Sequence, residues 1–97
     1  PEEKEWARHV YHLYVVRCHE RDALQRHLAA RGVGTLIHYP IPVHLQECYA
    51  DLGLRPGSLP FTERCAKEIL SLPMYPELAA GQVEYVAAQI RDFFERR

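Results

Sequence analysis

Lysine is scarce in this chain: Lys4 and Lys67 are the only two in 97 residues. Lys4 stands in a polar opening segment and Lys67 at an outward position of a predicted helix. Neither is placed to become the desolvated amine that forms a Schiff base at neutral pH. A glycine-rich phosphate loop and a G-x-S-x-G turn are absent as well. These gaps argue against a self-contained enzyme. Close ligand pairs such as C-x-x-C or H-x-x-x-H do not occur, and His9 and His12 would point to opposite faces of a regular strand, so no metal site is expected from His9, His12, Cys18, His19, His38 and His44.

Excess charge of either sign is missing too. The 12 basic and 13 acidic residues leave a net charge of -1 and no basic stripe to follow a nucleic-acid backbone, so no nucleic-acid partner is expected. Apolar runs fall far short of a membrane span, and no charged leader precedes one, so no membrane partner is expected either. Cys18, Cys48 and Cys65 are odd in number and widely spaced, which predicts free thiols in a reducing compartment, the cytoplasm. The opening at Pro1, without methionine, is compatible with a processed start and with a piece excised from a longer protein.

What is present suits one small soluble domain over residues 1–97, with 47% hydrophobic and 26% charged residues. The run VYHLYVV at 10–16 is β-branched and aromatic, which predicts a strand with two largely apolar faces. One face would carry Tyr11, Leu13 and Val15, the other Val10, His12, Tyr14 and Val16. Residues 20–31 follow as a helix, with Leu24 and Leu28 one turn apart and Gly32 as its stop. Residues 35–37 read as a short strand. Leu45, Cys48, Tyr49 and Leu52 take the spacing of one helical face over 44–52. A second helix is predicted over 61–70, with Cys65, Ala66, Ile69 and Leu70 inward and Glu63, Lys67 and Glu68 outward, capped by either Ser58 or Thr62. Residues 70–72 form an edge strand beside Pro73. A closing helix over 80–94 repeats Val83, Val86, Ile90, Phe93 and Phe94 on one stripe, and starts without a side-chain cap. The expected fold class is α+β: a two-layer sandwich whose small, mainly antiparallel sheet of about three strands carries helices on one face. Its shared core would be Leu13, Val15, Leu24, Leu28, Ile69, Val86 and Ile90.

The stretch TLIHYPIPVHLQ, residues 35–46, departs from this generic pattern. Pro40 and Pro42 forbid a helix and stiffen an extended loop that carries His38, Tyr39 and His44. Polar rings on a rigid loop suit a binding surface. By residue chemistry alone the stretch reads equally as a rigid turn with a helix start or as a ligand-facing edge.

The ordered motifs GVGTLIHYPIPVHLQECYADLG and PGSLPFTERCAKEILSLPMYPEL, followed by an amphipathic helix, resemble the C-terminal small domain of the DegT/DnrJ/StrS family. The preceding VYHLYVVR extends the likeness over nearly the whole chain, and a Ser or Thr usual near Ala79 is the one departure. The resemblance implies the small domain of a fold-type I, pyridoxal-phosphate-dependent aminotransferase acting on nucleotide-linked keto sugars in amino-sugar biosynthesis. It implies a larger N-terminal domain that holds the cofactor and its lysine, a nucleotide-sugar substrate and a homodimeric parent. Carried over by position, His38, Tyr39, His44 and the weaker candidate Gln46 become substrate-binding residues; no catalytic or cofactor-binding residue falls in this chain, which alone would be inactive and bind no cofactor. A free-standing α+β interaction or regulatory module is the alternative.

Overall fold

The computed structural model describes residues 2–96, so the expected opening segment is seen from Glu2 onward and Pro1 lies outside the described residues. The elements in chain order are β1 (Tyr14–Arg17), α1 (Arg21–Ala29), two short 3-10 helices (Val43–Leu45 and Glu47–Leu52), α2 (Pro60–Glu68), β2 (Ile69–Leu72) and α3 (Ala80–Glu95). The fold is α+β, with α1 packed against both β2 and α3.

β1 and β2 pair antiparallel with Val15 opposite Ser71 and Val16 opposite Leu70. Ser71 spends both of its backbone groups on the opposite edge. Its N–H donates to the Leu36 carbonyl at 2.7 Å, and the Leu36 N–H donates back at 3.2 Å. β2 is therefore the middle of the sheet rather than its edge, and the expected third strand at 35–37 contracts to a single bridge at Leu36. Pro73 does not conflict with a central position, because it follows the strand's last residue.

The core is Cys18, Leu24, Leu28, Val33 and Leu70, with Val16, Ile37, Leu72, Val86, Ile90 and Phe93 packed around it. Alternation along β1 thus turns Val16 inward. Leu13 is half-buried and Val15 is exposed, so their expected places in the core are corrected. The strand also starts later than expected. Tyr11 adopts φ 55°, which disfavours a pleated continuation, and its N–H is captured by His9 Nδ1 at 2.8 Å.

α1 ends through a backbone reversal in which Gly32 takes φ 76° and the Val33 N–H returns to the Leu28 carbonyl at 2.9 Å. Polar bonds then join α1 to α3. His27 Nε2 donates to the Gln89 carbonyl at 2.9 Å, Arg31 reaches Asp92 at 3.1 Å, and the Tyr85 hydroxyl donates to the Arg31 carbonyl at 2.9 Å.

The region read as a helix over 44–52 is instead two 3-10 turns separated by extended Gln46, with ψ 143°. Cys48, Tyr49 and Leu52 are exposed, so the face that would support a regular helix finds nothing to pack against. α2 stops at Glu68 and passes directly into β2, which corrects its expected end at residue 70.

Glu68 is buried rather than outward. Its carboxylate accepts from Arg17 Nε at 3.0 Å and from Arg17 Nη2, and pairs with His19 Nδ1 at 3.0 Å. The Arg17 hydrogen bonds, chiefly, hold the Glu68 carboxyl below its ordinary value of 4.5. The Arg17 guanidinium also lies 5.5 Å from the centre of the Phe61 ring. Nearby, Arg21 donates to the Ala66 carbonyl at 3.2 Å and the Ile69 carbonyl at 2.9 Å, tying the start of α1 to the junction of α2 and β2.

Candidate functional site

Segment 35–46 bridges through Leu36 to the side of β2 away from β1 and then turns through its two prolines. His38 is fixed from beneath: its Nδ1 lies 2.8 Å from the Ser71 hydroxyl, on the face of β2 opposite to Leu70 and Leu72. The two rings that follow one another, His38 and Tyr39, meet edge to face at 5.5 Å and 90°, across a cis peptide bond. Tyr39 is 66% exposed. His38 and Ser71 open into a cavity of about 350 Å³ whose other walls include Leu13, Leu36 and Met74. A half-buried imidazole, an exposed phenol and an apolar floor can orient a polar ligand by hydrogen bonds while excluding part of its solvent.

The other two candidates on the stretch are engaged within the chain. His44 is 6% exposed and its Nε2 lies 3.3 Å from Glu63 Oε2. Gln46 donates from Nε2 to the Ile41 carbonyl at 3.4 Å, closing the turn that contains Pro42. The structure therefore brings the His38 and Tyr39 rings together, with His38 at the cavity, and engages His44 and Gln46 within the chain, where they brace the loop.

Glu63 is the residue that sequence reasoning missed here. Expected to face outward, it accepts from the Gly57 N–H at 2.7 Å and the Leu59 N–H at 3.0 Å as well as facing His44. The Gly57 bond is the main cause that lowers its pKa from the ordinary 4.5. Neither Ser58 nor Thr62 caps α2. Ser58 instead closes the preceding turn by accepting from the Arg55 N–H at 2.9 Å, and Glu63 holds the helix entrance from one turn inside. The spacing in LPFTE contained this signal, since a glutamate there can reach back to the backbone before the helix. Ser71 was also missed, although a small polar residue between Leu70 and Leu72 must face away from them in a strand.

The remaining histidines have separate surroundings: His9 holds the Tyr11 N–H and His19 pairs with Glu68. Among the described residues no group of three or more His, Cys, Asp or Glu side chains is arranged to hold a metal ion. No disulfide joins the described cysteines: Cys18 is buried, Cys65 half-buried and Cys48 exposed. No helix among the described residues is long and apolar enough to cross a membrane.

The chain is thus a small α+β domain that carries a histidine–tyrosine loop beside a shallow cavity. Residues 1–91 match the DegT/DnrJ/EryC1/StrS aminotransferase family, and the chain belongs to that family. It is 54% identical over 91 residues to the erythromycin biosynthesis sensory transduction protein EryC1 of Saccharopolyspora erythraea, a match covering 94% of this chain and 25% of that protein. It is 46% identical over 94 residues to a pleiotropic regulatory protein of Geobacillus stearothermophilus, covering 97% of this chain and 25% of that one. The dTDP-3-amino-3,4,6-trideoxy-alpha-D-glucose transaminase of Streptomyces venezuelae is 47% identical over 87 residues, covering 90% and 23%. In three dimensions the chain superposes on S. venezuelae DesV, solved with a ketimine intermediate, with a TM-score of 0.86 and 46% identity over 91% of this chain and 24% of that one. The chain thus spans about a quarter of the length of these relatives.

Membership in this family raises pyridoxal phosphate as a cofactor, and the side chains present do not supply its covalent anchor. Lys4 is ion-paired with Glu2 at 3.1 Å on the surface, and Lys67 is exposed on α2. Neither is desolvated, so neither fits the role of the anchoring amine.

Proposed function

We propose that this chain is the C-terminal, substrate-side domain of a pyridoxal-phosphate-dependent aminotransferase that acts on nucleotide-linked keto sugars in amino-sugar biosynthesis. The observation that carries the reading is His38, held by Ser71 at the wall of the cavity, with the exposed Tyr39 ring against it. In this reading the larger N-terminal part of the parent holds the cofactor and its lysine, and the parent acts as a cytoplasmic homodimer. His38 and Tyr39 orient the substrate, while His44 and Gln46 support the loop that carries them. The isolated chain neither binds the cofactor covalently nor transaminates.

The test is His38→Ala in the full-length parent. Cofactor absorbance should persist while kcat/KM for the nucleotide sugar falls, because a misplaced substrate loses rate without loss of cofactor. A folded variant that binds no cofactor, or one that works at full efficiency, overturns the assignment.

A second reading, a free-standing regulatory or interaction module, draws on the regulatory names of two relatives, the sensory transduction protein and the pleiotropic regulatory protein. The transcript upstream of the Pro1 codon separates the readings. A contiguous aminotransferase domain with an anchoring lysine favours the first, and a start codon immediately before Pro1 favours the second.

A further inference from the structure

Ser71 is a polar residue in an otherwise apolar strand, and it is only 4% exposed. Both its backbone groups are already committed to Leu36, so its side chain is left to account for. Among the described residues the hydroxyl has one hydrogen-bond partner, His38 Nδ1 at 2.8 Å.

A serine hydroxyl has one hydrogen to donate and two lone pairs to offer. In a buried position an unused lone pair is tolerated better than an unused O–H, because the donor has a single direction in which to be satisfied. If His38 carried its proton on Nδ1, the ring would donate to Ser71 and the hydroxyl hydrogen would have no protein acceptor among the described residues. With Nδ1 unprotonated, the hydroxyl donates to the ring and its hydrogen is used. The second arrangement places the proton of a neutral imidazole on Nε2, the nitrogen that Ser71 does not hold.

We propose that Ser71 is a positioning residue that fixes neutral His38 with its proton on Nε2, so that the loop presents an N–H donor to an oxygen acceptor on the substrate. On this account His38 is a hydrogen-bond donor and not the base of the reaction. The substrate half of the proposal rests on the reading of the loop as a substrate wall; the proton placement does not. A transaminase meets two oxygen-bearing substrates in separate half-reactions, the amino donor with its carboxylate and the sugar with its hydroxyl and carbonyl oxygens. Measuring each half-reaction identifies the one that supplies the acceptor.

The direct test is a long-range proton–nitrogen spectrum of the full-length polypeptide labelled with nitrogen-15 in histidine, with His38 assigned by loss of its signals in His38→Gln. Ring nitrogens with and without hydrogen have well-separated shifts. The expected result is hydrogen on Nε2 and a bare Nδ1 in the unsubstituted protein, a mixture of the two forms in Ser71→Ala, and recovery in Ser71→Thr. Hydrogen on Nδ1, or an unchanged spectrum in a folded Ser71→Ala protein, overturns the proposal. In kinetics, Ser71→Ala should lower kcat/KM by roughly tenfold in one half-reaction, and His38→Gln, whose amide N–H reaches towards the Nε2 position, should retain more activity than His38→Asn. If the spectra come out as expected but both half-reactions are unaffected, the proton placement stands and the substrate-wall reading fails.

Discussion

Leu28 makes the simplest test of the core, since it is 0% exposed and sits where α1 meets both the sheet and α3. Truncation to alanine should cost about 2–5 kcal/mol, read as a lower urea midpoint with an unchanged slope. Leu13, half-buried beside the His38 cavity, should cost less than Leu28 when truncated in the same way. Glu68 offers a test of sign rather than size. Its folded pKa is depressed, chiefly by Arg17, so its stabilising contribution is complete above the unfolded value and is lost as pH falls through the folded one. Glu63, lowered chiefly by the Gly57 N–H, acts in the same direction. Stability should therefore decline on acidification below about pH 4.3, the ordinary range of glutamate. Denaturation at stepped pH should show a shallower decline in Glu68→Gln, and an identical slope would remove Glu68 from the account.

At the scale of elements, the helix ends hold the clearest consequences. α3 begins after Ala79, whose ψ of 152° is that of a normal N-cap, but whose methyl group cannot accept a hydrogen bond. Half of a capping arrangement exists, because Gln82 Oε1 accepts from the Ala79 N–H at 2.9 Å. Ala79→Ser supplies the missing half and should stabilise the protein by about 0.5–1 kcal/mol, seen as a raised Tm. At α2 the same function falls to Glu63, and Glu63→Ala should speed amide exchange at Gly57 and Leu59 before it affects β2. The helices α1 and α3 were legible because Leu24 and Leu28, or Val86 and Ile90, stand one turn apart and find partners, and α2 because Cys65 and Ala66 stand one turn before Ile69 and Leu70. The 44–52 stretch has the same spacing without a partner surface, so periodicity overstated it. Residues 10–13 carry strand-forming side chains, but a side chain two residues away captured the backbone at Tyr11. Neither the partner surface nor that capture is written in local propensity. The loop's histidine and tyrosine stood out by type and by the prolines around them, whereas Ser71 and Glu63 acquire their roles from contacts 33 and 19 residues away in sequence.

At the scale of the whole molecule, the described residues leave an apolar surface without a cover. Tyr14, Val16 and Leu72 on the sheet and Val83, Val86 and Ile90 on α3 border a groove of about 400 Å³ with an almost entirely apolar lining. Tyr14 is 45% exposed and Val83 50% exposed, so the groove's rim as well as its floor meets water. The surface is formed by the inward face of β1, carrying Tyr14 and Val16, continuing past the core. Contiguous apolar area of this kind favours association. The isolated chain should therefore self-associate at high concentration, and sedimentation velocity should show a mean mass that rises with loading. Val83→Glu places a charge on the rim without touching the buried core, so it should restore a monomer while leaving the melting transition nearly unchanged. A strictly monomeric unsubstituted chain across the concentration range would mean that the groove is too shallow or too mobile to hold a partner. A Val83→Glu chain that still associates would move the contact elsewhere, with the exposed Tyr39, Ile41 and Val43 of the loop as the next surface to alter.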